Sequence, residues 1–129
     1  MPGTRSQPGS TTDVVTGYSN AAVTASQFLN EYIVVFFGRI TGIKVYATTA
    51  GTGGGNTVVD VLVNGTSIWA TAGNKPTLLA TSTGEFANAV GDAGRVGVRP
   101  GDRIALQVAS ISSTGHARLS ASAAIERNA

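Results

Sequence analysis

The 129-residue sequence contains no cysteine and a single histidine. Without cysteine the chain cannot form a disulfide, a thiolate metal site or a cysteine nucleophile. One histidine excludes a multi-histidine metal site within a single chain. The longest strongly apolar run, Tyr32–Phe37, is far shorter than the roughly 20 residues that span a bilayer. These absences exclude disulfide bonds, cysteine and multi-histidine metal sites, cysteine catalysis and a membrane-spanning apolar run.

Charge is also scarce. Charged residues make up 12% of the chain, about half the usual share of roughly 25%, and the formal net charge is only +2. The basic residues are scattered instead of forming a stripe interleaved with aromatics, so we expect no nucleic-acid partner. The first ten residues lack the apolar stretch of a secretory signal, and we expect no membrane partner.

Small residues dominate what is present, because Ala, Gly, Thr and Ser account for 62 of the 129 positions. Beyond residue 27 they alternate with short β-branched and aromatic runs, separated by Gly- and Pro-containing turns about every 8–12 residues. No segment has the period of an amphipathic helix. This pattern predicts an all-β protein, an antiparallel, jelly-roll-like β-sandwich covering residues 28–129.

Three local signals define this sandwich best. Asn64-Gly65 lies between two β-rich runs and predicts a two-residue hairpin turn. Arg99–Asp102 (RPGD) predicts a type II turn. The last strand, starting at His116, alternates small apolar and polar residues as far as Glu126. The run Tyr32–Phe37 predicts a strand buried on both faces.

Residues 1–27 are polar and have no sustained period, so they cannot bury enough surface to fold alone. We interpret them as an extended N-terminal arm that becomes ordered on a partner, with a disordered tail as the alternative. The predicted division is therefore an arm over 1–27 and a sandwich domain over 28–129.

Partner contacts are predicted from the larger apolar side chains in the arm and beside it. Trp69, the only tryptophan, is interpreted as a core or subunit-interface anchor in preference to a stacking platform for sugar. The candidate partner-binding residues are Val14, Val15, Tyr18, Phe28 and Trp69.

No catalytic constellation is apparent. His116 is expected to be exposed or at an interface, on the polar face of the last strand, without the nucleophile and acid that a catalytic histidine needs. The carboxylates are dispersed in sequence. Asp92 and Asp102 are the one pair that two loops could bring together around a cation, but the ligand spacing of a calcium loop is absent. We therefore expect no enzyme activity, no cofactor and no metal.

Three segments resemble a known group of proteins: Gly38–Ala80, with the hairpin sequence VDVLVNGTSIW and the segment NKPTL; Val98–Ile111, VRPGDRIALQVASI; and the final ARLSASAAIE. Over residues 32–127 the chain resembles β-sandwich modules of tailed-bacteriophage particles, namely small capsid decoration (cement) proteins and related head- or tail-fibre domains. The arm lies outside this resemblance, whose motifs are mainly turn and hairpin chemistry.

The resemblance implies a non-enzymatic structural virion protein, made in the host cytoplasm and located on the outer capsid surface. It implies that the protein binds the major capsid protein, stabilises the capsid and forms a homotrimer. The alternative is a head- or tail-fibre module that binds host surface glycan, with a shallow site near Trp69 or Tyr46. A small hydrolase is a third hypothesis, against which the lack of a polar constellation counts.

Overall fold

A computed structural model of the chain describes residues 12–80, 85–111 and 113–128. Nearly all regular structure in these residues is β. The strands are β1 (Thr12–Ser19), β2 (Phe28–Ile33), β3 (Gly38–Thr49), β4 (Thr57–Val63), β5 (Thr66–Ser67), β6 (Thr77–Leu78), β7 (Glu85–Ala89), β8 (Gly97–Val98), β9 (Arg103–Ser110) and β10 (Ala117–Arg127). A short 3-10 helix, Ala72–Asn74, separates β5 from β6.

The strands form two antiparallel sheets that pack face to face. Sheet A has the order β1-β10-β3-β7, and β8 pairs with the beginning of β3. Sheet B has the order β2-β9-β4-β5, and β6 pairs with the beginning of β4. Consecutive long strands thus alternate between sheets, as when β2 in sheet B is followed by β3 in sheet A.

The pairing is that of a jelly roll. The short strands β5 and β6 together fill one position beside β4, and β7 and β8 fill one beside β3. With each couple counted as one strand, the first pairs with the eighth, the second with the seventh, the third with the sixth and the fourth with the fifth. Nested pairing of this kind defines a jelly roll, and the predicted all-β, jelly-roll-like sandwich is confirmed.

The core lies between the two sheets and is built from alternate residues of the long strands. On β10 the alternation is complete, because every second residue from Leu119 to Ile125 is buried. Its buried members are small or medium-sized, which lets the sheets approach closely. The main core residues facing them from sheet B are Val59, Val61, Ile104, Leu106 and Val108. Each such side chain contributes roughly 1.5–3 kcal/mol of burial.

The sandwich closes where its two edge strands, β1 and β2, meet. A Cβ added to Gly17 of β1 would lie 2.7 Å from Cβ of Leu29 in β2, so only glycine permits this approach of the two backbones. The side-chain amide of Asn30 also donates to the carbonyl of Thr16 at 2.6 Å. We call this side of the molecule the β1–β2 edge.

The structure revises the predicted arm. Residues Thr12–Ser19 form β1 and pair with β10 over their whole length, from Thr12 opposite Glu126 to Ser19 opposite Leu119. This part of the predicted arm therefore belongs to the sandwich, so the boundary at residue 27 does not separate arm from domain. Residues 1–11 lie outside the described residues.

The prediction for Tyr32–Phe37 was wrong. Strand β2 ends at Ile33, and the following residues carry the chain from sheet B to sheet A. Val34 is buried and Tyr32 and Phe36 are half-buried, whereas Ile33, Val35 and Phe37 are exposed. Because every residue of the run is apolar, its sequence could not show that alternate side chains face solvent.

The local turn predictions are confirmed. Asn64 and Gly65 have φ of 52° and 86° and connect Val63 to its ladder partner Thr66, as a two-residue turn with positive φ at both positions requires. In the RPGD turn the N–H of Asp102 donates to the carbonyl of Arg99 at 3.0 Å, and Gly101 has φ of 93°.

The ladders divide the loops between two ends of the sandwich. The Phe37 end comprises residues 34–37, the hairpin turn 64–65 and the turn 99–102, next to the start of β1 and the end of β10. The His116 end comprises residues 20–27, 50–56 and 111–116, of which Ser112 is not described.

Candidate functional site

The structure separates the predicted partner-binding residues into two groups. Val14, Tyr18 and Phe28 are exposed on the two strands of the β1–β2 edge. Val15 and Trp69 are buried in the core, so neither can contact a partner while the domain is folded. Val15 alternates with Val14 along β1, and its inward direction follows from the period of the strand.

Trp69 is a core residue, as the preferred interpretation held. Its indole Nε1–H donates to the carbonyl of Val90 at 2.9 Å, and the backbone N–H of the next residue, Ala70, donates to Asp92 at 2.7 Å. The ring thus fixes the chain after β5 to the chain after β7. Of the two positions predicted for a glycan site, Trp69 has no exposed face, and Tyr46 on β3 has one.

The prediction that His116 is exposed was wrong. Its side chain is completely buried, and Nδ1 lies 2.8 Å from Oγ1 of Thr57, which is also completely buried. Nε2 has no hydrogen-bond partner among the described residues. The chain before β10 is held beneath the 20–27 loop, because the Val23 N–H donates to the His116 carbonyl at 2.8 Å. The alternation of the strand therefore does not extend back to residue 116.

The predicted cation pair does not form a site. Asp92 accepts from Ala70, whereas Asp102 accepts from Asn64 and Arg99. Within the described ranges, no three His, Cys, Asp or Glu side chains come together as they would around a metal ion.

The most buried carboxylate, Asp60 on β4, has a structural arrangement. One oxygen accepts from the Ser67 hydroxyl at 2.7 Å and from the Val61 N–H at 2.8 Å, and the other lies 3.1 Å from Nζ of Lys75. These contacts hold the segment between β5 and β6 against the outer face of sheet B. A buried pair of this kind is costly to break on one side only.

At the Phe37 end, the last residue of β2 and the loop after it carry three exposed large apolar side chains. Ile33, Val35 and Phe37 are 54%, 71% and 60% exposed, at alternate positions of one segment. Large apolar side chains that lie together in solvent mark interaction sites more often than isolated ones do. We call these three residues the apolar triad. Sequence reasoning missed them because the run was interpreted as core.

The loop that carries the triad is held in place on both sides. The Val34 N–H donates to the Asp102 carbonyl, and the Gly101 N–H donates to the Val34 carbonyl, both at 2.8 Å. Near the C-terminus, the N–H of Asn128 donates to the carbonyl of Phe37 at 2.9 Å. The triad is therefore presented by a braced loop, which reduces the ordering cost of binding.

Asn64 links the hairpin turn to this bracing. Its side chain donates to Asp102 Oδ1 and accepts from the Arg103 N–H, both at 2.9 Å. The hydrogen bond from Asn64, assisted by the backbone N–H and positive charge of Arg99, lowers the pKa of Asp102 against an opposing effect of burial. The charged form of Asp102 is thus part of the folded arrangement.

Ion pairs surround the apolar triad. Arg39–Glu126, Arg103–Glu31 and Arg127–Asp13 have N–O distances of 4.0, 3.8 and 2.7 Å. Beside Phe37 lies a cleft of about 450 Å³, lined by Gly38, Asn64, Gly97, Val98, Arg99 and Asp102. The Phe37 end therefore combines an apolar centre with a polar rim whose charges are largely paired.

The outer face of sheet A is the second candidate surface. Tyr18 on β1 and Tyr46 on β3 both lie opposite Ser120 of β10 in the ladders, so the three residues form one cross-strand row. The tyrosines are 58% and 41% exposed. A groove of about 350 Å³ lies next to Tyr46 and does not reach Tyr18; its lining residues are Thr16, Lys44, Val45, Tyr46, Ser120, Ala121 and Ser122.

The protein is thus a jelly-roll domain with two candidate surfaces. One is the Phe37 end, where a hydrogen-bonded loop exposes apolar side chains, and the other is the face of sheet A that carries two tyrosines. No family model, curated protein or solved structure matches the chain. No helix among the described residues is long and apolar enough to cross a membrane.

Proposed function

We propose that the protein is a structural virion protein that binds the major capsid protein and decorates and stabilises the outer surface of a phage capsid. The observation that carries this proposal is the apolar triad on the braced Phe37 end. The resemblance of residues 32–127 to capsid decoration modules supplies the identity of the partner.

The chemistry of the Phe37 end favours a protein partner. Protein–protein interfaces combine a desolvated apolar centre with a polar rim, and here the triad is the centre and the ion pairs are the rim. A polyanion or an anionic membrane needs unpaired positive charge. Arg39, Arg103 and Arg127 instead face carboxylates at this end. The triad therefore fits a largely uncharged patch on another protein.

The β1–β2 edge supports the proposed homotrimer. Val14 and Phe28 are exposed there on the edge strands of the two sheets, and a closed oligomer buries such repeated apolar contacts. Sedimentation equilibrium of the purified protein is expected to give three times the monomer mass of 13.0 kDa. Phe28→Ser is expected to shift the mass toward that of the monomer, and a monomeric wild type contradicts the trimer.

The capsid proposal is tested by co-sedimentation with undecorated capsids assembled from the major capsid protein of the same phage. Wild type is expected to co-sediment in a fixed ratio to capsid protein. Phe37→Ala is expected to weaken binding by about 2 kcal/mol, as for an interface hot spot, or about thirtyfold.

A matched pair of variants separates the triad from general surface hydrophobicity. Val35 and Val90 are both 71% exposed, but only Val35 belongs to the triad. Val35→Asp is expected to abolish co-sedimentation, whereas Val90→Asp is expected to retain it. Equal binding by the two variants, or no binding by wild type, would overturn the proposal.

A further inference from the structure

The outer face of sheet A has surface chemistry unlike that of the Phe37 end. Three of the seven residues that line its groove carry short hydroxyl side chains, Thr16 on β1 and Ser120 and Ser122 on β10. Lys44 is the one charged residue among the lining residues, and Tyr46 forms one wall. The surface thus combines a few hydroxyl groups with apolar and aromatic surface, and it has little charge.

The row of Tyr18, Ser120 and Tyr46 determines the shape of this surface. Because neighbouring strands lie about 4.8 Å apart, the Cα atoms of the two tyrosines lie about 10 Å apart, with the Ser120 Cα between them. A serine side chain is far shorter than a tyrosine, so the row has two raised rings and a low centre. The next row, Thr16, Ser122 and Lys44, extends the low centre along β10.

The low centre follows from the alternation in β10. Ala121 and Ala123 are buried in the core, so Ser120 and Ser122 point to the opposite face. The hydroxyl floor and the small-residue core thus come from one stretch of sequence.

We propose that this face binds carbohydrate, with Tyr18 and Tyr46 packing against a sugar ring above Ser120. A sugar ring has C–H faces, which pack on aromatic rings, and hydroxyl groups around its rim, which match Ser and Thr side chains that both donate and accept. A purely apolar partner would leave those hydroxyls without hydrogen bonds, which costs free energy. The single lining cation distinguishes the groove from a polyanion site.

The groove and the apolar triad lie on different parts of the molecule. Tyr18 and Tyr46 are next to the ends of β1 and β3 that lead into loops of the His116 end, whereas the triad is at the opposite end. The carbohydrate site therefore does not depend on capsid binding, and a protein docked through its Phe37 end leaves this sheet face available.

The test begins with a printed array of neutral and uronic-acid oligosaccharides, probed with labelled full-length protein. The best-bound oligosaccharide is then titrated into isotope-labelled protein, and the amide signals of Tyr46 and Ser120–Ser122 are expected to shift. Tyr46→Ala and Tyr18→Ala are each expected to weaken binding at least about tenfold. Tyr46→Phe, which keeps the ring, is expected to retain most of the affinity, and Ser120→Leu, which fills the low centre, to abolish it.

Two controls separate this site from the rest of the molecule. Phe37→Ala is expected to bind the oligosaccharide like wild type, and Tyr46→Ala is expected to co-sediment with capsids like wild type. Folding of each variant is checked by the near-ultraviolet signal of the buried Trp69. Binding of no oligosaccharide by wild type, or binding unaffected by both Tyr46→Ala and Ser120→Leu, would overturn the carbohydrate site whatever the outcome with capsids.

Discussion

The two ends of the sandwich differ in which side chains they expose and which they bury. At the Phe37 end, three large apolar side chains face solvent from the end of β2 and from the following loop, whose backbone is hydrogen-bonded on both sides. At the His116 end, an imidazole is buried beneath a loop, and its one hydrogen-bond partner among the described residues is the Thr57 hydroxyl. An apolar group left in solvent contributes no burial free energy, whereas a buried polar group has a desolvation cost, so each needs a different explanation.

The difference separates side chains that stabilise the fold from side chains that are available to bind a partner. The His116–Thr57 contact lies in the interior, where an external partner cannot reach it, so we assign it to the fold itself. The apolar triad is presented outward, where its burial requires a second molecule. Ordinary surface residues change stability little, so stability measurements can separate the two roles.

The largest effect is expected when one member of the buried polar pair is removed. Thr57→Val keeps the shape of the side chain but leaves both ring nitrogens of His116 without a partner, and is expected to cost about 2 kcal/mol of the free energy of unfolding. Urea denaturation followed by Trp69 fluorescence measures the change.

The matched control removes both partners. Replacing a hydrogen-bonded pair by apolar groups can be nearly neutral, so Thr57→Val combined with His116→Leu is expected to recover most of the loss. A double variant as unstable as the sum of the two single variants would show that the two side chains are not coupled.

A smaller loss is expected at the Phe37 end, where Asn64 is the link between loops. Asn64→Ala removes the hydrogen bonds to Asp102 and Arg103 and places a Cβ-bearing, non-Asn residue at φ of 52°. Strain and lost bonds together are expected to cost about 2 kcal/mol or slightly less. Asn64→Gly tolerates this φ and is expected to lose about 1 kcal/mol less than Asn64→Ala. Equal losses would mean that backbone strain at residue 64 is unimportant.

A weaker, pH-dependent effect is expected from Asp102. Its folded-state pKa is lowered below the ordinary value of 3.8, so at acid pH the unfolded state binds a proton before the folded state does. The stabilisation is therefore complete above the unfolded-state pKa and is lost as the pH falls through the folded-state value. The advantage of wild type over Asp102→Asn is expected to shrink between about pH 5 and pH 2. An advantage that is constant over this range would contradict the assignment.

The sequence predicted those features whose cause is local. Asn64-Gly65 specifies its turn because both residues accept positive φ, and β10 could be predicted because apolar residues occupy every second position from Leu119 to Ile125 and most residues between them are polar. The exposure of the apolar triad and the burial of His116 depend instead on how distant loops meet. Strand β1 was missed for a related reason, since two of its inward residues, Gly17 and Ser19, are not hydrophobic. The row of Tyr18 and Tyr46 could not be predicted either, because it arises from the register of three strands distant in sequence.

The smallest stability effect is expected within the triad itself, and it is the most informative about function. Val34 and Val35 are adjacent, but Val34 is completely buried and Val35 is exposed. Val34→Ala removes two core methyl groups and is expected to cost about 2 kcal/mol, whereas Val35→Ala is expected to change the free energy of unfolding by less than about 0.5 kcal/mol. If Val35→Ala nevertheless weakens capsid co-sedimentation, the residue acts in binding and has no role in folding. A loss of stability comparable to that of Val34→Ala would instead place Val35 in the core and remove the distinction between the two ends.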